Sequence, residues 1–187
     1  MEEHYPDTHH HIYSKTVLGF WLYLLTDFVL FATLFATFLV LRRDGDLVVS
    51  FPHAFVQSCL FLTCSFTIGL AGALAHRKMK KKALILFGAA WLLGALFFWM
   101  QLSQFSHLLK CGHSWKNSGF LSAYFSLVGT HTAHVFFALL WTLVLLVPFW
   151  REEITATHLR RLTCLRLFWQ FLNVIWVFIF TIVFCRG

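Results

Sequence analysis

The sequence predicts an all-α integral membrane protein, a bundle of five transmembrane helices. Composition is the first observation behind that expectation. Of 187 residues, 59% are hydrophobic and 12% are charged, roughly half the ~25% charge of a soluble domain. With 23 Phe and 8 Trp, a water-soluble fold would expose large apolar patches. The second observation is segmentation. The apolar residues fall into five runs, each long enough to cross a hydrocarbon core of about 30 Å. The third is the placement of charge, which gathers between the runs and leaves them almost bare. No internal repeat and no soluble domain interrupt this pattern.

Residues 1–15 read as a polar tail with His4, His9, His10 and His11. A His-rich tract can bind metal, but a solvated, disordered cytoplasmic arm is the expectation. The opening has no apolar region followed by a small-residue cleavage site, so insertion is expected to use the first span itself. Residues 16–187 then form the transmembrane domain, with spans at about 17–41, 51–75, 83–109, 118–149 and 162–184.

The first span, Val17 to Leu41, would extend about 37 Å at the helical rise and stops at Arg42-Arg43. The second starts beside Pro52, a residue suited to a first helical turn. Near its end Gly69, Gly72 and Ala75 would let another helix approach closely. HRKMKKK (His76 to Lys82) follows, the densest charge run in the chain. The third span repeats the small-residue spacing at Ala90 and Gly94. Its later half carries Gln101, Ser103, Gln104 and His107, which must face protein or headgroups. KCGHSWKN leads into the fourth span, which has Gly129 near its middle and Pro148 near its end. REEITATHLRR separates it from the fifth.

Net charge is +7, yet the basic residues sit at segment ends and not along one face. That excludes a nucleic-acid surface and gives topology instead. On the N-terminal side lie Lys15, Arg77, Lys78, Lys80, Lys81, Lys82, Arg151, Arg160 and Arg161. On the other lie Arg42, Arg43, Lys110, Lys116 and Arg186. The positive-inside rule places the N-terminus in the cytoplasm and the C-terminus outside, with the basic face toward anionic phospholipid headgroups.

Asp27 is the one acidic residue deep inside a span. A carboxylate there costs a few kcal/mol on insertion scales, so it must be paired, hydrogen-bonded or protonated. A proton relay and a structural partnership with a histidine or hydroxyl on another helix both fit. His131 and His134 are three apart in an apolar helix and share a face. Two readings compete for them, a metal or haem site and a hydrogen-bonded seam between helices. A metal would need further ligands, and the spans offer mainly His107 and Asp27. The five cysteines, Cys59, Cys64, Cys111, Cys164 and Cys185, form no metal or redox spacing. Four of them lie in apolar runs and read as small apolar residues. Trp21, Trp115, Trp150 and Tyr13 mark span ends, as an interfacial belt expects. Trp141, Trp169 and Trp176 lie deeper, and their indole N–H groups need partners. No phosphate loop, nucleophile elbow or catalytic carboxylate pair can be found.

Three stretches also carry a resemblance. SGFLSAYFSLVGTHTAHV (from Ser118) is similar to the penultimate-helix signature of subunit III of haem-copper oxidases, closest to the quinol-oxidising cytochrome o type. CLRLFWQFLNVIWVFIFTIVF (Cys164 to Phe184) resembles that subunit's last helix, and GFWLYLLTDFVLFATLFATFLVL (Gly19 to Leu41) its first. Together they cover roughly a third of the chain, in order.

The resemblance implies a five-helix version without the two extra N-terminal helices of longer relatives. It implies that haem and copper reside in a partner, subunit I, and that this chain holds no cofactor and no metal. In such subunits the pair matching His131 and His134 packs between helices, and an acid is kept at the position of Asp27. The family usually carries glutamates near Gln101 and Gln104, and FWHFLD where this chain reads FWQFLN, with Gln170 and Asn173. Each change replaces an ionisable group by a neutral hydrogen-bonding one. Hydrogen-bond geometry is therefore expected to survive at these points, and proton exchange is not.

The expected function is a non-catalytic accessory subunit of a proton-pumping cytochrome o-type ubiquinol oxidase in the bacterial inner membrane. There it would support assembly and stability of the catalytic subunit in aerobic respiration. The alternative is a small haem-b membrane anchor ligated by His131 or His134. A secondary transporter fits worse, since five spans do not divide into inverted halves.

Overall fold

A computed structural model describes residues 8–42, 51–77, 79–111, 118–151 and 156–184. Five helices carry almost all of them, and no strand occurs among the described residues. They are α1 (Thr8–Leu41), α2 (Phe51–His76), α3 (Lys80–Lys110), α4 (Gly119–Arg151) and α5 (Ala156–Ile179). A terminal π-helical turn, Phe180–Phe184, continues α5. All five helices hold a stretch long and apolar enough to span a bilayer.

These runs form helices because a chain in hydrocarbon must satisfy every backbone group within itself. Their hydroxyl side chains obey the same demand. The hydroxyls of Thr37, Ser58, Thr63, Thr67, Thr132, Thr142 and Thr181 each donate to the carbonyl four residues back, at 2.7–2.9 Å. Ser118 caps α4, its Oγ accepting from the Phe120 N–H at 3.2 Å.

Three boundaries differ from the sequence reading. The tail was expected to stay disordered to residue 15, but α1 begins at Thr8. Once a long helix is nucleated, adding turns at its end costs little. α5 begins at Ala156 and not at residue 162, because a helix does not stop where its residues cease to be apolar. His158, Arg160 and Arg161 extend it toward the headgroups, and the Arg160 guanidinium donates to the Thr157 hydroxyl at 3.2 Å. α4 runs through Pro148 to Arg151. Residues 1–7, Trp115 and Cys185 lie outside the described residues, as do the side chains of the histidine tract and Trp150.

The packing order follows from which helices touch. α1 lies on α4 and α5, α2 on α3 and α5, and α3 on α4. Among the described residues α1 meets neither α2 nor α3. α5 therefore has α1 on one flank and α2 on the other. At the end opposite the tail, the π turn presents the Ile182 carbonyl to the Arg42 guanidinium, which donates to it at 2.7 Å. Arg42, read from sequence only as a topology marker, ties α1 to α5.

The core is aromatic. Phe61 and Phe97 meet with tilted rings, centroids 4.4 Å apart, and Phe97 meets Trp176 edge-on at 4.9 Å. Phe31, Phe38, Phe87, Tyr124 and Trp169 are also fully enclosed. Outside, each helix keeps an exposed apolar face, with Val40 82% exposed, Phe66 73% and Trp99 72%. In water such a surface would aggregate. In a bilayer it is the expected lipid-facing exterior.

Candidate functional site

The spans place their polar residues in a layer. Asp27, His134 and Gln170 each stand within one residue of the middle of their span. At that depth a polar group finds no water and must be met by protein.

Asp27 on α1 and His134 on α4 face each other, with the carboxylate Oδ2 3.6 Å from Nε2. The other ring nitrogen, Nδ1, lies 2.8 Å from the Thr130 carbonyl. A carbonyl can only accept, so Nδ1 carries a proton. Nε2 is then the ring nitrogen left to face the Asp27 carboxyl. Oδ2 of Asp27 is buried and has no hydrogen bond among the described residues. His134 is the partner this oxygen meets across the helices, and the carboxyl also interacts with the Tyr23 hydroxyl one turn back on α1.

His131 has a different partner. Its Nε2 donates to the Leu172 carbonyl of α5 at 3.2 Å, and its side chain is fully buried. Phe31, Phe61, Phe97 and Trp176 wall the ring, with centroids 5.3–6.4 Å away. Its Nδ1 meets no donor among the described residues. Both imidazoles lie on one face of α4, each packed on Phe31 of α1 with ring centroids 6.4 and 5.4 Å away. Their polar partners differ, His134 meeting Asp27 of α1 and His131 the Leu172 carbonyl of α5.

This arrangement does not suit haem. The His131 ring is closed in by aromatic side chains and its Nε2 is already committed. Nδ1 of His134 is held by its own helix, and Nε2 looks onto Asp27. His107 lies at the far end of α3 beside Cys111, 3.8 Å from the sulfur, and does not approach the pair.

Two further seams join the helices. Toward the end of the bundle near Arg42, the Gln57 amide donates to Gln104 Oε1 at 3.0 Å, and the Gln104 amide donates to the Tyr124 hydroxyl at 3.3 Å. Gln101, one turn earlier on α3, is buried with its Oε1 unpartnered among the described residues. Within the midspan layer, the Ser65 hydroxyl donates to Gln170 Oε1 at 3.1 Å, and the Gln170 amide returns to the Ser65 carbonyl at 3.3 Å. Asn173 Oδ1 is buried with no hydrogen-bond partner among the described residues. Two of the deep indoles find hydroxyls. Trp169 donates to Thr142 and Trp176 to Ser58, both at 3.1 Å. Gln57, Ser58 and Thr142 escaped the sequence reading. Their signal was there, since each is a polar residue inside an apolar run and needs a partner.

The small residues divide. A Cβ on Gly94 would stand 2.7 Å from the Trp169 ring and 3.1 Å from Leu139, so α3 approaches α4 and α5 through this glycine. Gly69 faces the Gln170 amide at 3.6 Å and Gly72 the Arg166 side chain at 3.1 Å. Ala75 and Ala90 are buried, and the Cys64 thiol donates to the Ala90 carbonyl at 3.2 Å. Gly129 does not belong in this set. Nothing lies within 4 Å of where its Cβ would be, because it faces away from the packed side of α4.

No protein-family model matches the chain. Over 190 residues it is 42% identical to the cytochrome bo(3) ubiquinol oxidase subunit 3 of Pseudomonas aeruginosa, covering 98% of this chain and 91% of that one. The chain belongs to the subunit 3 family of haem-copper oxidases. The oxidase subunit 3 of Pseudomonas putida, also named for a bo(3) ubiquinol oxidase, is 39% identical over 93% of this chain and 87% of its own length. The cytochrome c oxidase subunit 3 of Bacillus sp. PS3 is 38% identical over 91% and 85%. This oxidase subunit 3 is thus a multi-pass bacterial membrane protein, similar throughout its length to subunits serving two kinds of electron donor.

Proposed function

We propose that this oxidase subunit 3 is a non-catalytic accessory subunit of a proton-pumping ubiquinol oxidase. It would pack against the haem- and copper-bearing subunit I and support assembly, stability and sustained turnover. One observation carries the reading. The midspan acid and histidines are spent on bonds between the chain's own helices, Asp27 with His134 and His131 with Leu172. The quinol as electron donor is favoured by the names of the 42% and 39% identical relatives.

Deleting the chain tests this reading. Membranes of the deletion strain are expected to contain several-fold less assembled oxidase, with activity that decays during continuous turnover. Unchanged oxidase content and steady activity would contradict it.

We also propose the orientation given by the basic residues, with the N-terminus cytoplasmic. Cys111 then lies at the outer surface, and it is exposed. A membrane-impermeant maleimide is expected to label it in right-side-out spheroplasts and not in inverted vesicles. The reverse pattern would overturn the orientation. Anionic phospholipids are the expected partners of the cytoplasmic face. There Arg160, Arg161, Thr157 and Thr16 border a cavity of about 550 Å3 between α1, α4 and α5.

A further inference from the structure

The C-terminal end of α3 brings a histidine against a cysteine. In HLLKC, His107 and Cys111 stand four apart, so one turn of helix sets their side chains side by side. The Cys111 sulfur lies 3.8 Å from Nδ1 of His107 and 4.0 Å from Nε2. Both residues are exposed, and neither belongs to the midspan layer. The helix fixes the cysteine at its C-cap, where the Cys111 backbone N–H donates to the His107 carbonyl at 3.0 Å. Cysteine spacing alone conceals this pair, because one of its members is a histidine.

A thiolate and a neutral imidazole are the ligands a thiophilic cation prefers. Zinc binds sulfur at about 2.3 Å and imidazole nitrogen at about 2.0–2.1 Å, which at a tetrahedral angle puts the two ligand atoms about 3.6 Å apart. The observed 3.8 Å between Nδ1 and sulfur is close to that bite, and a small turn of either exposed side chain closes the difference. The helix adds charge of the right sign. Its last carbonyls form the negative end of the macrodipole, which favours a cation there. Lys110 on the same turn opposes it, which keeps the affinity moderate. The described residues supply no third histidine, cysteine or carboxylate, so water would complete the shell and the ion would exchange freely.

We infer that His107 and Cys111 form a two-residue chelate for a thiophilic divalent cation, with zinc the ion that suits it. Cys111 binds as the thiolate, its proton passing to solvent, and His107 binds as the neutral imidazole. The site stands apart from the midspan pair and is independent of the subunit's role in the oxidase.

The test follows alkylation of Cys111 by N-ethylmaleimide in the purified oxidase complex, read by mass spectrometry of its peptide. Zinc chloride in excess is expected to slow the reaction several-fold, because metal and maleimide compete for one sulfur. EDTA is expected to restore the rate. Magnesium chloride, whose ion prefers oxygen ligands, is expected to leave it unchanged. His107→Ala, at an exposed position, is expected to keep its place in the complex and lose the zinc protection. No slowing by zinc, or slowing that persists undiminished in His107→Ala, would overturn the inference. So would a Cys111 that fails to react even without metal, since the thiol would then be covered in the complex.

Discussion

Replacing His134 with leucine is expected to lower the stability of the subunit by about 3–5 kcal/mol, the loss typical when one partner of a buried charge pair is removed. The reason is depth. Asp27 sits at the middle of α1, and its Oδ2 has no hydrogen bond among the described residues. Without His134, the carboxyl keeps only the Tyr23 hydroxyl one turn back on α1 and must otherwise lie uncompensated in hydrocarbon or take up a proton. Insertion scales put a lone aspartate there at about 2.5–3.5 kcal/mol, which agrees in size. The reverse change, Asp27→Leu, should cost less. Neutral His134 keeps its Nδ1 bond to Thr130 and leaves only an unmet lone pair on Nε2, worth about 1–3 kcal/mol. The double variant should recover much of the single loss, since two leucines replace the pair with apolar volume. Thermal unfolding in mild detergent checks the series. The expected order is wild type, double variant, Asp27→Leu, His134→Leu, with the last shifted downward by on the order of 10 °C. Equal shifts for both single variants and their simple sum in the double would show that the two groups do not interact.

The second large effect is expected at Gly94. On propensity alone, Gly94→Ala should favour helix by up to about 1 kcal/mol. The structure reverses that sign. The new Cβ would lie 2.7 Å from Cη2 of Trp169 and 3.1 Å from Leu139. The Trp169 indole is fully buried and held by its bond to Thr142, so it cannot swing away. Forcing a methyl into a packed core costs about 1–3 kcal/mol, and the destabilisation should exceed the propensity gain. Trp169→Phe removes the ring atom that clashes, so adding it to Gly94→Ala should cost less than the two changes summed. Gly88, with open space around its Cβ position, is the control. Gly88→Ala is expected to be neutral or stabilising. A Gly94→Ala protein as stable as wild type would mean that α3 does not approach Trp169 this closely.

The fold was legible in the sequence because a bilayer leaves a chain few choices. Five apolar runs separated by charge can become little other than five helices. The ends were less legible, as α5 shows. Hydropathy marks where the chain leaves hydrocarbon, and the helix continues outward through His158 and Arg160 where water or headgroups can meet its last turns. Of the site, Asp27 and His134 could be recognised as residues needing partners, and Gln104 and Gln170 likewise. Which partner each would find could not be read, because it depends on helix rotation. His131 and His134 show this most plainly. Three residues apart on one apolar helix, they share a face and both pack on Phe31, but their polar partners differ, Asp27 on α1 and the Leu172 carbonyl on α5. Gly129 fails for the same reason. A glycine in an apolar helix signals close approach only if it lies on the packed side.

The measurement that tests the account most directly is purification of the tagged chain in mild detergent, read by visible spectrum and subunit identification. The account predicts that a haem-copper catalytic subunit co-purifies and carries all of the haem absorbance. After that subunit is dissociated, this chain should be colourless. A Soret band retained by the isolated chain and lost in His134→Ala would contradict the assignment of the midspan histidines to helix packing.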